Sequence, residues 1–473
     1  VYSDADRKAL HVSFAGEAYP IGPAPAIESY LNASRILEAA RQSGAEAIHP
    51  GYGFLSENPE FARACADARV VFIGPSPAAM ELMGSKTAAR RAVLRAGLPV
   101  VPGSDRRLAG SEEARTVALE IGLPVMLKAA AGGGGKGMRL VRDAGDLDSA
   151  FRTAQAEAAN AFGDPSLYIE KYIDQPRHIE IQIFGDEQGN LIHLGERECS
   201  LQRRHQKVLE ESPSPFANEA LRQRMGETAV RIGRLAGYSN AGTVEFLADA
   251  KQNFYFLEMN TRLQVEHPVT ELVLGVDLVK EQIRIASGKP LRWKQEQMRQ
   301  RGWALECRVY AEDPDNNFFP CPGLIQGLQA PGGPGVRDDT GVFEGWRVPV
   351  DYDPLLSKLA VWGEGRGEAL ARMRRALGEY EITGIKTNLA FFRRVLDHPK
   401  FIEGEFDTGF IDRMLAEGLA GENGATLEER YAAVVAAVLQ DAESEPHPSS
   451  DPPTLDGANW KAAGRRALLN PRR

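Results

Sequence analysis

The chain has little of what a disulfide-stapled, membrane-bound or nucleic-acid-binding protein needs. Only four of its 473 residues are cysteine, Cys65, Cys199, Cys307 and Cys321, and no two stand at CxxC spacing. A disulfide framework and a cysteine zinc site are disfavoured, and a reducing compartment is expected. No apolar run has membrane length, and no stretch reads as a signal peptide. Positive charge is not in excess: the net charge of −9 argues against a nucleic-acid or membrane partner. The P-loop pattern GxxxxGK[ST] is unmatched, and the glycine-rich stretch precedes a strand, not the helix of a dinucleotide fingerprint. What remains is 43% hydrophobic and 26% charged, as in ordinary globular proteins, and too long for one core. Two to four domains are expected.

The organising stretch is TVEFLADAKQNFYFLEMNTRLQVEHP, residues 243–268. Thr243 to Leu247 and Phe254 to Met259 read as strands, joined by a short polar turn. Alternation puts Glu258 and Asn260 on one face, and a plausible register sets Glu245 opposite Glu258. Two carboxylates facing each other in an apolar hairpin repel, and a divalent cation removes that cost. Carboxylate and amide oxygens suit Mg²⁺ or Mn²⁺. The alternative is that both acids face solvent at a sheet edge. Arg262, Gln264, Glu266 and His267 follow within a few residues.

Upstream, strand, turn and helix repeat, which predicts an α/β domain with a parallel sheet. A helix is expected over 27–43 with Gly44 as its C-cap, and another from Pro59 capped by Ser56 or Asn58. Pro75 to Leu98 reads as mostly helical and carries Lys86. Lys128 lies inside the apolar strand LPVMLKAA, where an ammonium needs a partner; a phosphate is a good one. The strand runs into AGGGGKGMRLV, whose glycines let backbone N–H groups approach an anion. LYIEKYI, RHIEIQIFGD and LECRVY read as strands, the last with Arg308 inside it. Arg197, Arg203, Arg204, His205 and Lys207 form a basic run, either an anion funnel or a salt-bridge network. A single helix is expected over 269–286, and a further one over 431–440 before an acidic, Ser/Pro-rich linker at 443–456.

EMNTRLQVEHPVTE and HPGYGFLSEN resemble the biotin carboxylases, ATP-grasp enzymes that perform the first half-reaction of biotin-dependent carboxylases, and the resemblance runs from Val1 to about Met414. It implies an α/β and α+β multidomain chain: an N-terminal Rossmann-like domain over 1–84 lacking its opening βα unit, a linker helix over 85–99, a lid over 100–172, and a central ATP-grasp and C-terminal biotin carboxylase region over 173–416. Residues 417–473 would lead towards a carrier region, as in carboxylase α subunits. The resemblance assigns ATP to Lys86, Lys128, Gly133, Gly134, Gly135, Lys136, Glu170, Lys171, Ile173, His178, Gln202, His205 and Leu247, the glycine loop closing as a lid. It assigns Mg²⁺ or Mn²⁺ to Glu245, Glu258 and Asn260. Arg262, Gln264 and the Val265 backbone would hold bicarbonate, with Lys207 at the anion site. Glu266 would take the bicarbonate proton, and Arg308 would steady the ureido oxygen of biotin. The partners implied are a biotinoyl carrier domain and a carboxyltransferase β subunit, in a homo-oligomer within a larger holoenzyme, in the cytoplasm or, in a eukaryote, the mitochondrial matrix. Other readings are another ATP-grasp carboxylate–amine ligase and a non-catalytic nucleotide-binding assembly subunit. The acyl-CoA is not named by the sequence.

Overall fold

The computed structural model describes residues 1–130, 137–421 and 435. The chain divides into a unit of residues 1–413 and a second unit of residues 414–473. Residues Gly133, Gly134, Gly135 and Lys136 of the expected lid, and the helix and linker expected over 431–456, lie outside the described residues, apart from residue 435. Among the described residues, no helix is long and apolar enough to cross a membrane.

The first segment is α/β. Strands β1 (Ala47–Ile48) and β2 (Val71–Phe72) pair in parallel. The preceding helix is shorter than the expected 27–43: it runs Ala33–Ser43, because the Asn32 side chain accepts from the Arg35 N–H and fixes the start there. Ile27, at the missing end, is 75% exposed. Gly44 closes the helix at φ +66°, and Asn58 caps the next, Pro59–Asp67. The expected 75–98 helix is two, Pro77–Gly84 and Lys86–Arg95, split where Ser85 leaves helical geometry and caps the second.

A three-stranded antiparallel sheet follows, with β3 (Val125–Ala129) between β4 (Met138–Val141) and β5 (Leu167–Lys171). Its faces differ because the side chains alternate. Val125, Leu127, Val141, Leu167 and Ile169 are buried with helices Ser111–Ile121 and Leu147–Phe162 in one apolar core. Lys128 and Glu170 lie on the other face.

The site rests on an eight-stranded sheet. Its strands are β6 (Arg177–Gly185), β7 (Leu191–Arg203), β8 (Gln206–Ser212), β9 (Asn240–Ala248), β10 (Phe254–Asn260), β11 (Trp303–Tyr310), β12 (Val336–Thr340) and β13 (Leu355–Gly363). Their order is β10-β9-β6-β7-β8-β11-β13-β12. Val244, Phe246, Phe256 and Met259 bury one face of the hairpin against helices that include Glu219–Leu235. The expected 269–286 helix is two, His267–Leu274 and Leu278–Ala286: Gly275 stops the first at φ +67° and the Asp277 side chain caps the second.

Candidate active site

The opposed carboxylates come from a bulge. Phe256 pairs with Phe246, but the register then shifts so that Glu258, not Leu257, faces Glu245. Leu257 is the extra residue. The shift keeps Phe254, Phe256 and Met259 in the core while turning Glu258 to the polar face. On the next strand, Glu180 of β6 stands opposite Glu245, and Arg197 of β7 opposite Glu180. Glu258, Glu245, Glu180 and Arg197 therefore form a row across four strands.

Three adjacent like charges would destabilise the sheet, and cations offset them. Lys207 Nζ donates to Glu180 Oε2 at 2.5 Å, Glu245 Oε1 at 2.7 Å and Glu266 Oε1 at 2.7 Å. Lys86 Nζ lies 3.1 Å from Glu258 Oε2, and His178 Nε2 3.1 Å from Glu245 Oε2. Burial pushes the Glu245 carboxyl up, but Lys207 and His178 outweigh it and hold it well below the usual carboxylate range. Asn260 donates to Glu245 Oε1 at 2.8 Å and Gln264 to the same oxygen at 2.9 Å.

Glu266, the residue before helix His267–Leu274, is the junction of the site. One oxygen accepts from Lys207, and the other from Arg308 Nη2 at 2.8 Å. Burial raises its carboxyl, yet Lys207, Arg308 and Arg197 together depress it well below its ordinary value. Arg308 Nε also donates to Glu210 Oε1 at 2.7 Å. Arg262 donates to Glu57 Oε2 at 2.8 Å and Asn260 Oδ1 at 3.1 Å, and Glu57 also accepts from the Thr261 N–H at 2.8 Å. The Val265 carbonyl accepts from Lys358 at 3.1 Å. Gln202 bonds His178 Nδ1 at 3.0 Å.

The basic run is mainly a salt-bridge network, not an open funnel. Arg197 is fully buried on Glu180, Gln182, Thr243, Gln264 and Thr270. Arg203 is held by Glu312, and Arg204 by Asn317 at 2.9 Å. His205, at the tip of the β7–β8 hairpin, stays below the usual imidazole range through burial and nearby Lys128. Leu247 lies beside His178 across the β6–β9 pair.

On the three-stranded sheet, Lys128 pairs with Glu170 at 2.6 Å, so a carboxylate here fills the place expected of a phosphate. The second Glu170 oxygen faces Arg90 at 3.2 Å. The Lys171 ammonium donates to the Gly122 and Leu123 carbonyls at 2.9 and 2.8 Å, because alternation turns its side chain to the opposite side from Glu170. Ile173 lies just beyond the end of β5.

Sequence reasoning did not single out Glu57, Arg90, Glu210 or Lys358. Lys358 carried the signal used for Lys128, a lysine inside an apolar strand. Glu57 meets Arg262 across 205 residues, a contact that no local pattern reveals.

A three-stranded sheet beside a larger antiparallel one, with lysines on the first and a carboxylate row on the second, defines an ATP-grasp ligase. Family models agree in turn along the chain: "Biotin carboxylase, N-terminal domain" at 1–80, "Carbamoyl-phosphate synthase L chain, ATP binding domain" at 85–294, and "Biotin carboxylase C-terminal domain" at 306–413. A biotin carboxylase of Nostoc sp. is 53% identical over 414 residues, covering 88% of this chain and 93% of the relative. A propionyl-CoA carboxylase alpha chain of Ruegeria pomeroyi is 48% identical over 459 residues, covering 93% of this chain and 67% of the relative. The biotin carboxylase domain of Hydrogenobacter thermophilus 2-oxoglutarate carboxylase, solved with MgADP and bicarbonate, is 48% identical at a TM-score of 0.83, covering 87% of this chain and 91% of that one. The chain belongs to the biotin carboxylase family.

Proposed function

We propose that this chain carboxylates biotin on a carrier domain, using ATP and bicarbonate, within an oligomeric acyl-CoA carboxylase whose carboxyltransferase is a separate β subunit. The observation that carries the reading is Glu266 clamped between Lys207 and Arg308, beside the carboxylate row. Bicarbonate- and biotin-dependent phosphate release from ATP tests it; turnover with an amine acceptor instead of biotin would overturn it.

Glu245, Glu258 and Asn260 fit a hard divalent cation. They offer oxygen donors on one face of a bulged hairpin, and the carboxylates are paired here with the side-chain cations Lys86 and Lys207. Bound there, Mg²⁺ or Mn²⁺ would neutralise charge developing on the ATP phosphates. Lys86 and Lys128, released from Glu258 and Glu170, bind phosphate oxygens, and Glu170 and the β5 backbone hold the adenine. His178, Gln202, His205 and Leu247 line the nucleotide side, and Gly133, Gly134, Gly135 and Lys136 serve the phosphates. Glu258→Gln is expected to raise the Mg²⁺ concentration needed for half-maximal ATP turnover and to lower the rate ~10-fold or more. A Mg²⁺ titration superimposing on that of the wild type would remove Glu258 from the metal site.

Arg262, Gln264 and Val265 position bicarbonate. Glu266 takes its proton, but both Glu266 oxygens are occupied in the free protein. An arriving anion competes for Lys207 and Arg308, freeing one oxygen and restoring its basicity. Arg308 then faces the ureido oxygen of biotin as negative charge grows on it.

A further inference from the structure

Beside this site is a second pair of opposed acids that the mechanism does not use. Glu306 of β11 is the register partner of Glu210 of β8, and both are fully buried. Opposed residues of an antiparallel pair stand about 5 Å apart between Cβ atoms. Glu210 Oε1 accepts from Arg308, whereas among the described residues Glu210 Oε2 and both Glu306 oxygens have no hydrogen-bond partner. The cations around Glu306 are committed to other acceptors. Arg308 is shared between Glu210 and Glu266. Lys207 is shared among Glu180, Glu245 and Glu266. Lys358 donates to the Val265 carbonyl and lies 3.6 Å from Asp339. Two neighbours add no charge, since burial keeps Cys199 and Cys307 as thiols, and His267, beside Lys358, is kept neutral by burial and that lysine.

We propose that Glu306 is a positioning residue of the carboxylation step: it is the protonated member of a carboxyl pair with Glu210, and its neutrality leaves Arg308 able to receive an anion. The location of the proton follows from the contacts. Glu210 holds a guanidinium and stays ionised, whereas Glu306 forms no ion pair among the described residues, and an ionised carboxylate buried that way is costly. Burial pushes both carboxyls up, and the nearby cations pull them back only in part. With Glu306 neutral, Arg308 is balanced by Glu210 and Glu266 alone. Ionising Glu306 adds a negative charge one alternate position along the same strand, where it repels both bicarbonate and the anionic ureido oxygen. Carboxylation should therefore fall at alkaline pH as the pair loses the proton carried by Glu306.

This rests on Arg308 serving the ureido oxygen, so the test has two readouts. Infrared difference spectra against pH should show in the wild type a protonated-carboxyl C=O stretch that persists at neutral pH and disappears in Glu306→Gln. Carboxybiotin formation from free biotin should keep its rate to higher pH in Glu306→Gln, the alkaline limb moving up by ~1 pH unit or more, as expected on removing a neighbouring charge. Glu306→Leu, also neutral, is the second variant and should move the limb the same way. Absence of the band from the wild type, or its survival in both variants, overturns the protonated pair. A band lost on substitution with an unmoved limb overturns the positioning role. Wild-type carboxylation by Arg308→Ala would overturn the reading of Arg308 instead, and the infrared band would still decide the state of Glu306.

Discussion

Glu266→Gln is expected to lower carboxybiotin formation from free biotin by about 10²–10⁴-fold, the range for loss of a general base, while ATP affinity by calorimetry stays within a few-fold. The amide preserves shape and can still accept from Lys207 or Arg308, so the variant removes basicity more than packing. ATP is held elsewhere, by Lys86, Lys128 and the β5 strand. Because Lys207 and Arg308 hold the carboxyl well below its ordinary range, Glu266 is already ionised near neutral pH. An acid limb in that region of the free-enzyme profile belongs to another group. Arg308→Ala, tested in parallel, should cost about 10²–10³-fold, as for loss of a preorganised donor to a developing oxyanion. Carboxylation near the wild-type rate in Glu266→Gln would exclude it as the base.

The second large effect is on stability. Arg197→Leu should destabilise the protein by about 3–5 kcal/mol, the cost of stripping one partner from a buried ion pair, read from chemical denaturation. Arg197 is wholly buried and donates to Glu180, Gln182, Thr243, Gln264 and Thr270. Without it, the one cation left on Glu180 among the described residues is Lys207, which Glu245 and Glu266 also claim. Arg197→Lys should rescue little, since one ammonium cannot reproduce a planar fork reaching partners from four directions. A loss below about 1 kcal/mol, the scale of an exposed pair, would mean that the row of acids is balanced without Arg197.

The hairpin was the most legible part of the chain. Alternation and the polar turn gave both strands and the Glu245–Glu258 opposition. Its cause, the bulge at Leu257, is visible afterwards in the apolar spacing of Phe254, Phe256 and Met259, two residues and then three. Helix ends were less legible where a cap outweighed the apolar pattern, as at Asn32, Ser85 and Asp277. The side taken by the Lys171 side chain was open to the same alternation that placed Glu170. Charge partners were mostly hidden. The basic run reads the same whether its side chains meet solvent or carboxylates, and the acids that engage it, such as Glu180 and Glu312, lie on other strands. The Glu210–Glu306 pairing needs the β8–β11 register, which joins residues 96 positions apart and is specified by the whole sheet.

The Glu57 clasp bears on how such ligases can recombine. The break at Ser85 is a natural crossover point, since one helix ends there and the next begins. A chimera joined at that point could fold on both sides. It would nonetheless inherit Arg262 from one parent and the acid that aims it from the other, along with the two ends of the contact between His49 and Gln282 at 3.1 Å. Positions 57 and 262 are thus linked although 205 residues separate them, and where two parents differ at either position, shuffled libraries should retain activity chiefly when both come from one parent.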